Sequence, residues 1–309
     1  MISLPPSFFS YTRVSREGAA GRAGAESLPA LIEELCVRWS LRIDGEAMHG
    51  ANGIAVPVIR PDSGAACALK VAWLDQELRD QIVALGLWDG HGMVRLLDAS
   101  VDDGALLLER LDASRSLRSL PLEESLAVAG GLLRRQAVPA PVDAAPVDTA
   151  PAHAALPTVV SVAEAFVASA VERSARLGDP VPSHDLTMAV GLARELATVT
   201  ADLLVNHDLH DDNILAAERE PWLAIDPRVL VGVPEYGIAQ LLWWRLDDMA
   251  GDRDLWDSFR LLVEVAELDA ELARTWTLVR SVDYWLWGLE NELTIDPVRC
   301  ARVVETLKS

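Results

Sequence analysis

The sequence predicts an α+β fold with two lobes: a small antiparallel sheet that carries one helix, then a mainly helical region. Up to Leu111, short apolar runs at strand spacing alternate with turn signals, in the order β-β-β-α-β-β. Beyond Leu111 the apolar spacing is mostly helical, and 309 residues are too many for one small domain. We therefore expect an N-terminal lobe over 1–111 and a C-terminal lobe over 112–309, in a two-layer plan.

The predicted N-terminal lobe is a five-stranded sheet with one helix. Its five strands are Leu41–Ala47, Ile54–Arg60, Ala66–Trp73, Met93–Ala99 and Ala105–Leu111. A helix over Asp75–Trp88 is predicted because Leu78 and Ile82 recur at helical spacing. A shorter amphipathic helix over Leu31–Trp39 precedes the strands, and residues 1–28 are expected to be a loose lead rich in Gly and Ser.

The predicted C-terminal lobe consists of helices around one polar loop. The helices are Glu123–Gln136, Ser161–Leu177, Asp185–Val199, Arg253–Glu267, Ala270–Leu293 and Pro297–Leu307. Ala137–Pro157 is rich in Pro and Ala and is expected to be a linker or a lid with little regular structure. Leu203–Asp226 is expected to form the polar loop, with strand-like flanks.

The formal charge of −20 and the lack of long apolar runs narrow the classes of partner. An acidic surface repels phosphate backbones and attracts cations, so nucleic acid is not an expected partner. No apolar run reaches the roughly 18 residues of a membrane span, and residues 1–15 lack a signal-peptide pattern, so we expect a cytoplasmic monomer or weak dimer without membrane contact. The three cysteines lie far apart with no CxxC pair, which indicates neither a zinc site nor a disulfide framework.

The densest group of reactive side chains is Asn206–Asn213, with the sequence NHDLHDDN. Such a stretch is typical of a solvated loop or of a functional site. Thirteen residues past Asn213, a strand-like run ends at Asp226 in Asp-Pro, which places a carboxylate where the backbone turns. Phosphoryl transfer needs a carboxylate for the hydroxyl proton, oxygen ligands for magnesium and a cation for the nucleotide phosphates. Asp208 can be that carboxylate, and Asn213 and Asp226 can supply the oxygen ligands.

Lysine is rare in this chain and occurs only as Lys70 and Lys308. Lys70 lies in the apolar third strand, where a kinase keeps its phosphate-binding lysine, although a lone strand lysine is usually an exposed edge charge. Glu77, in the following helix, could pair with Lys70. Gln81, one turn later, is the alternative on the same face but cannot form an ion pair.

The two histidines of the polar stretch do not indicate a zinc site. His207 and His210 lack a third nitrogen or sulfur ligand nearby, so a metallohydrolase is not favoured. We expect His210 to hold the loop by hydrogen bonds and count it among the substrate-binding residues.

These motifs resemble a known family. His207–Leu215 (HDLHDDNIL) is similar to the H-G-D-L-H-x-x-N-[VI]-L loop of aminoglycoside phosphotransferases. Ala217–Pro227 (AEREPWLAIDP), Gly92–Asp98 (GMVRLLD) and Leu107–Asp112 (LLERLD) resemble the streptomycin 6-phosphotransferase and hydroxyurea-kinase branch. The resemblance covers nearly the whole chain. The order of lysine strand, hinge, loop and Ile-Asp-Pro makes it specific.

The resemblance implies a protein-kinase-like fold with ATP and Mg²⁺ between the lobes and a cationic antibiotic over the helical lobe. It implies that Asp208 is the catalytic base, that Asn213 and Asp226 bind Mg²⁺, and that Lys70 contacts the α- and β-phosphates. It also implies a hinge that contacts adenine, largely through backbone groups, and a short loop over the phosphates. The hinge is Glu109, Arg110 and Leu111, and the loop runs from Gly50 to Gly53.

The chain departs from the family pattern at four positions. The first His of the family loop is Asn206 here, and its Gly is His207. After Asp226 the family usually has G-D-P-x-Y-D, whereas this chain has GVPEYG, with Val233 and Gly237 in place of the two carboxylates. Weak activity, a changed acceptor and a degenerate kinase that binds without transfer therefore stay open as alternatives.

One face of the predicted helix Ala270–Leu293 has the residue types of a cation site. Asp283, Trp287 and Glu290 fall at i, i+4 and i+7. Two carboxylates and an indole suit a guanidinium or ammonium group through ion pairs and cation–π contact. A core tryptophan beside solvated acids fits the pattern equally well.

Taken together, these features predict an ATP-dependent O-phosphotransferase that acts on an aminoglycoside or aminocyclitol antibiotic, streptomycin-like by resemblance, and gives resistance by inactivating it. One alternative is a kinase of another small hydroxylated compound, such as hydroxyurea. A small neutral acceptor of that kind would not need the acidic helix face. The other alternative is the degenerate kinase.

Overall fold

A computed structural model describes residues 2–10, 14, 17–140 and 156–309. The chain forms two compact units, the first made of Met1–Asp112 with Ala217–Arg219 and the second of Ala113–Ala216 with Glu220–Ser309. The sequence analysis ends the first lobe after Leu111. It does not foresee that three residues from the later part of the chain pack with the first unit.

The first unit is built on an antiparallel sheet. Its strands are β1 (Arg42–Ile43), β2 (Met48–His49), β3 (Gly53–Ile59), β4 (Ala66–Ala72), β5 (Leu96–Ser100) and β6 (Ala105–Glu109), and its helices are α1 (Gly18–Arg38) and α2 (Gln76–Trp88). The strand order is β1-β3-β4-β6-β5, with β2 also paired to β3. Strand β4 therefore lies in the middle of the sheet.

Two details of the first unit differ from the sequence prediction. Of the first predicted strand, Leu41–Ala47, only Arg42–Ile43 forms a strand, and β2 lies beyond its end at Met48–His49. Asp44 lies opposite Pro57, whose missing N–H interrupts the pairing, and the register shifts by two residues between β1 and β2. Helix α1 begins at Gly18, so the prediction of a loose lead is wrong for residues 18–28. The alanines of that stretch favour a helix, while its glycines and Pro29 obscured the helical pattern.

The second unit is mainly helical, with short strands. The helices are α3 (Leu122–Gln136), α4 (Val159–Arg176), α5 (Ser183–Leu196), α6 (Ala239–Trp244), α7 (Asp252–Ala266), α8 (Ala270–Glu290) and α9 (Asp296–Leu307). The strands are β7 (Asp112–Ser116), β8 (Leu203–Asn206), β9 (Ile214–Ala216), β10 (Trp222–Ala224) and β11 (Val229–Gly232). The six predicted helices are present, with ends displaced by at most three residues. Helix α6 and strand β7 were not predicted.

Two antiparallel pairs position the polar loop: β8 pairs with β11, and β9 pairs with β10. The predicted linker or lid, 137–157, falls mostly on residues 141–155, which lie outside the described part of the chain. The two described ends of this segment form hydrogen bonds to the β8–β11 pair. The N–H of Leu204 donates to Val138 O, and the N–H of Val231 donates to Pro157 O, both at 2.8 Å. Among the described residues, no helix has the length and apolar character needed to cross a membrane.

Candidate active site

The stretch from Asn206 to Asn213, which we call the base loop, is held at both ends by strands. Asn206 ends β8 opposite Val229 of β11, and the N–H of His207 donates to Arg228 O at 2.9 Å. Asn213 lies directly before β9. Because β8 and β9 are both paired, the residues between them form a short loop with fixed ends.

Asp208 lies in the base loop and is surrounded mainly by neutral hydrogen-bond donors. Gln240 Nε2 donates to its Oδ1 at 2.8 Å, and Asn213 Nδ2 lies 3.4 Å from its Oδ2 and 3.1 Å from its backbone oxygen. Its backbone N–H donates to Asn206 Oδ1 at 3.2 Å. The Nε of Arg228 lies 3.9 Å from Oδ2, and the Asp208 side chain is 27% exposed. The carboxylate is thus oriented by amides while it keeps access to solvent.

The register of β9 and β10 brings the two predicted magnesium ligands together. Ala224 pairs with Ile214, and the next residue, Ile225, donates its N–H to Asn213 O at 2.8 Å. Asp226 therefore follows at the same end of the pair as Asn213. It has a φ of 54°, a left-handed conformation that Asp adopts more readily than most residues. Since Asn213 Nδ2 points at Asp208, the Asn213 amide oxygen faces away from that carboxylate.

The donor set fits magnesium rather than a softer metal. Across the part of the chain that the structure describes, no group of three or more His, Cys, Asp or Glu side chains is placed to hold a metal ion. Mg²⁺ in phosphoryl-transfer sites is usually held by one or two protein ligands together with substrate phosphates. Asn213 and Asp226 together provide two protein ligands, which matches the number that such a Mg²⁺ site needs.

His210, Asp211 and Asp212 of the base loop all contact the end of helix α6. The ring of His210 stacks on Trp244 with centroids 3.9 Å apart, and Trp244 Nε1 donates to Asp212 Oδ2 at 3.0 Å. Asp211 is fully buried and forms an ion pair with Arg245. Burial lowers the pKa of His210, while the neighbouring carboxylates, Asp208 first, oppose that shift. The structure shows a stack, rather than the expected hydrogen bonds, as the contact of the His210 ring.

The structure accounts for three of the four family departures, at Asn206, Val233 and Gly237. The Asn206 side chain is fully buried and contacts the Asp208 backbone, which gives it a role inside the loop. Arg280 donates to His207 O at 3.0 Å and to Tyr236 O at 2.7 Å. A side chain at Gly237 would place its Cβ 2.5 Å from Leu133 Cδ1, so core packing occupies the space that a family Asp would need. Val233 is buried, in keeping with its apolar side chain.

The acidic face of α8, which consists of Asp283, Trp287 and Glu290, is paired with arginine of the same chain. Arg173 on α4 lies 2.5 Å from Asp283 Oδ1 and 3.0 Å from Glu290 Oε2, and its side chain is only 14% exposed. Arg176 adds a second contact to Glu290 at 2.8 Å. Trp287 stacks on Tyr284 at 5.1 Å. A guanidinium therefore lies between the two carboxylates where the sequence predicted a substrate cation.

Lys70 lies on β4, between Ala55 of β3 and Leu106 of β6 in the ladder, and is half-buried. Its Nζ donates to Gln81 Oε1 at 3.3 Å, and Gln81 is buried on α2. Glu77, the partner proposed for Lys70, lies on the exposed part of the same helix. Lys70 therefore contacts α2 through Gln81, the residue predicted from the sequence as the alternative to Glu77.

The predicted phosphate loop is the tight turn between β2 and β3. The N–H of Gly50 donates to Gly53 O at 3.0 Å. A Cβ on Gly53 would lie 2.6 Å from Val71 O, so close packing of β3 on β4 explains this glycine. Contact of this turn with phosphate stays a prediction.

The side chains of Glu109 and Arg110, in the predicted hinge, form hydrogen bonds and ion pairs within the first unit. Glu109 accepts hydrogen bonds from Arg219 at 3.0 and 3.1 Å and from the Arg95 N–H at 3.2 Å. Arg110 donates to Cys67 O at 3.1 Å and pairs with Asp44 at 2.8 Å. Leu111 follows as the link between β6 and β7. The side chains of Glu109 and Arg110 are thus engaged within the first unit, and contact of the hinge with adenine stays a prediction.

The sequence analysis missed several residues that surround the base loop. They are Gln240, Trp244, Arg245 and Arg280, and Arg173 was missed in the same way beside the acidic face of α8. Each lies at least 32 positions from its partner, so no local spacing could reveal it. The cluster LLWWR at the end of α6 was the available signal, since two tryptophans beside an arginine are unusual in an otherwise apolar run.

Solved structures share this fold. An aminoglycoside phosphotransferase, a thermostable mutant solved as a ternary complex with ADP and hygromycin B, matches with a TM-score of 0.56 and 16% identity over 89% of this chain and 97% of that one. A choline kinase from Cryptosporidium parvum matches with a TM-score of 0.57 and 9% identity over 91% and 94% of the two chains. The predicted fold class is thereby confirmed as that of the kinase-like phosphotransferases.

Sequence comparison narrows the class to one family. Residues 38–291 match the family described as aminoglycoside/hydroxyurea antibiotic resistance kinase. A hydroxyurea phosphotransferase from Kitasatospora aureofaciens is 40% identical, over 94% of this chain and 82% of that one. A streptomycin 6-kinase from Streptomyces griseus is 39% identical, over 92% and 90%. The chain therefore belongs to the aminoglycoside/hydroxyurea antibiotic resistance kinase family, and it is a phosphotransferase.

Proposed function

We propose that this protein is an ATP-dependent O-phosphotransferase that acts on a cationic aminoglycoside or aminocyclitol antibiotic of the streptomycin type and gives resistance by inactivating it. The observation that carries the proposal is the arrangement of Asp208, Asn213 and Asp226 around the base loop. The names of the family relatives, a streptomycin 6-kinase and a hydroxyurea phosphotransferase, support the acceptor class.

In the proposed reaction, Asp208 accepts the proton of the acceptor hydroxyl and orients its oxygen for in-line attack on the terminal phosphoryl group. The bond that forms joins the acceptor oxygen to phosphorus. The bond that breaks joins phosphorus to the bridging oxygen of ATP, and ADP leaves with that electron pair. Lys70 contacts the α- and β-phosphates, where its charge offsets the charge that develops on the leaving ADP.

Asn213 and Asp226 are the residues that would hold Mg²⁺. Both offer oxygen donors, which this hard cation prefers, and the β9–β10 register keeps them adjacent. When bound, the ion would neutralise charge on the phosphate oxygens. Asn213 has a second role in the proposal, because its amide nitrogen also orients Asp208.

A coupled assay of ADP release tests the proposal. Wild-type protein is incubated with Mg·ATP and streptomycin, beside a blank without acceptor and a sample with hydroxyurea. We expect ADP release that depends on streptomycin and that stops when Mg²⁺ is chelated. Streptomycin that leaves the rate at the blank level would refute the proposed acceptor.

A second candidate function, phosphorylation of a small neutral acceptor such as hydroxyurea, is favoured by one observation. Arg173 and Arg176 already pair with Asp283 and Glu290, so the predicted cation site on α8 is filled by the chain itself. A neutral acceptor needs no such site. The hydroxyurea sample of the same assay separates the candidates, because ADP release with hydroxyurea alone would establish the second.

The degenerate kinase predicts stabilisation by nucleotide without any product. The contacts of Asp208 argue against it, since Asn206, Asn213 and Gln240 hold the loop although Val233 and Gly237 carry no carboxylate. A thermal shift with ATP and no ADP from any acceptor would establish it.

A further inference from the structure

We propose that helix α6 and the residue after it position Asp208 for phosphoryl transfer, with Gln240 as the positioning residue in contact with the base. This inference rests on the proposed function, because it takes Asp208 to be the base. Gln240 is only 5% exposed, and its Nε2 lies 2.8 Å from Asp208 Oδ1, the shortest contact on that carboxylate. The contact joins two residues 32 positions apart.

The chemistry of the pair fixes the orientation of the amide. An ionised carboxylate only accepts hydrogen bonds, so the Gln240 group that faces it must be the NH₂. The other carboxylate oxygen, Oδ2, has weaker contacts, with Asn213 Nδ2 at 3.4 Å and Arg228 Nε at 3.9 Å. Gln240 therefore engages Oδ1 and leaves Oδ2 as the oxygen that receives the proton of the acceptor hydroxyl.

The end of α6 holds the rest of the base loop in three further ways. Trp244 stacks on His210 and donates from Nε1 to Asp212 at 3.0 Å. Arg245 pairs with the fully buried Asp211. Three successive loop residues are thus tied to two successive residues at the end of one helix. A shift of α6 would move the whole loop, and Asp208 with it.

Gln240 lies close to the two positions where this chain lacks the carboxylates of the family pattern. Those positions, Val233 and Gly237, come shortly before α6. A Cβ at Gly237 would lie 2.5 Å from Leu133 Cδ1, so Leu133 would have to shift to admit a side chain there. Gln240 lies three residues after Gly237, close to one helical turn, and contacts Asp208 itself.

The test separates donor capacity from side-chain volume. Gln240→Met keeps the length of the side chain without a donor, and Gln240→Glu keeps the shape but replaces the donor with an acceptor. Leu262→Ala is the matched control, since it removes buried volume from α7, a helix that the proposal does not use, without touching a polar contact. Melting temperature, kcat and KM for both substrates are measured for all three variants.

We expect Gln240→Met to lower kcat about tenfold or more, because a small displacement of a reacting group is costly, while both KM values change less than about twofold. Gln240→Glu should lower kcat further. Leu262→Ala should keep most of its kcat even if its melting temperature falls as far as that of Gln240→Met. The proposal is overturned if kcat of Gln240→Met stays within about twofold of wild type, or if kcat simply follows melting temperature in all three variants.

A double-mutant cycle on stability keeps this test independent of turnover. Gln240→Met, Asp208→Ala and the double variant are compared by melting temperature, and non-additive shifts are expected for residues in contact. Additive shifts would overturn the positioning contact. A wild-type protein that yields no product while the cycle is non-additive would instead refute the proposed function and leave the contact established.

Discussion

Carboxylates in the second unit are held in two different ways. Asp208 is contacted by the neutral amides of Gln240 and Asn213, and the Nε of Arg228 lies 3.9 Å away. Asp283 and Glu290 on α8 instead enclose the guanidinium of Arg173 at 2.5 to 3.0 Å. The first group keeps an orientation and its charge, whereas the second is neutralised.

The difference follows from what each donor does. A neutral amide fixes the direction of a carboxylate but leaves its charge available to a hydroxyl proton or a metal. A guanidinium forms stronger, charge-assisted bonds that also restrain the backbone on both sides. Asp211, paired with the buried Arg245, belongs to the second kind although it lies only three residues from Asp208. Within one loop, Asp208 is partly exposed and oriented by amides, whereas Asp211 is committed to a buried ion pair.

The largest effect is expected at the base. Asp208→Asn should lower kcat about 10² to 10⁴-fold, because the amide cannot accept the hydroxyl proton. Nucleotide should still raise the melting temperature of this variant. Asp202→Asn, an exposed aspartate before β8, is the control and should keep wild-type kcat. Equal rates for the two variants would show that Asp208 is not the base.

The next largest effect is expected on stability, at the buried ion pair between Arg245 and Asp211 of the base loop. Arg245→Met leaves the Asp211 carboxylate buried without its partner, which should cost about 3 to 5 kcal/mol of unfolding free energy. Adding Asp211→Asn should recover part of that loss. Denaturant unfolding measures the stability of both variants. Arg253→Met is the control, because the Arg253 side chain is 91% exposed. If Arg245→Met were no less stable than Arg253→Met, this pair would not be structural.

Restoring a family carboxylate should harm this chain. Gly237→Asp puts a Cβ 2.5 Å from Leu133 Cδ1, and we expect a loss of about 1 to 3 kcal/mol from overpacking. Leu133→Ala, which opens the space, should make the same Asp less destabilising than in the wild-type background. Thermal unfolding of the four proteins gives the answer. A stabilising or neutral Gly237→Asp would show that Leu133 does not exclude a side chain at this position.

The smallest effect is expected for the acidic face of α8. Asp283→Asn with Glu290→Gln removes partners of Arg173 and should cost about 1 kcal/mol or more of stability, because the guanidinium is mostly buried. KM for streptomycin should change less than about twofold, since the site is filled by the chain. Steady-state kinetics and denaturant unfolding are read together. A large rise in KM at unchanged stability would restore this face as the substrate cation site.

The sequence determined the elements whose signals are local. The fold class, the helices of the second unit other than α6, and the polar loop follow from apolar periodicity and turn residues, which act over a few positions. The β9–β10 register places Asn213 beside Asp226, as their short separation suggested. Helix α1 was only half recognised, because Gly and Pro within an alanine-rich run weaken a helical pattern that tertiary packing still supports.

Only the tertiary structure decided what each charge does. Asp283 and Glu290 have the spacing of a cation site, but Arg173, 110 positions before Asp283, already fills it. Asp211 and Asp208 look alike in the sequence, yet one pairs with Arg245 and the other with Gln240. Spacing along a helix or strand fixes which side chains share a face. Which partner meets them depends on how distant helices pack, and that is set by the core as a whole.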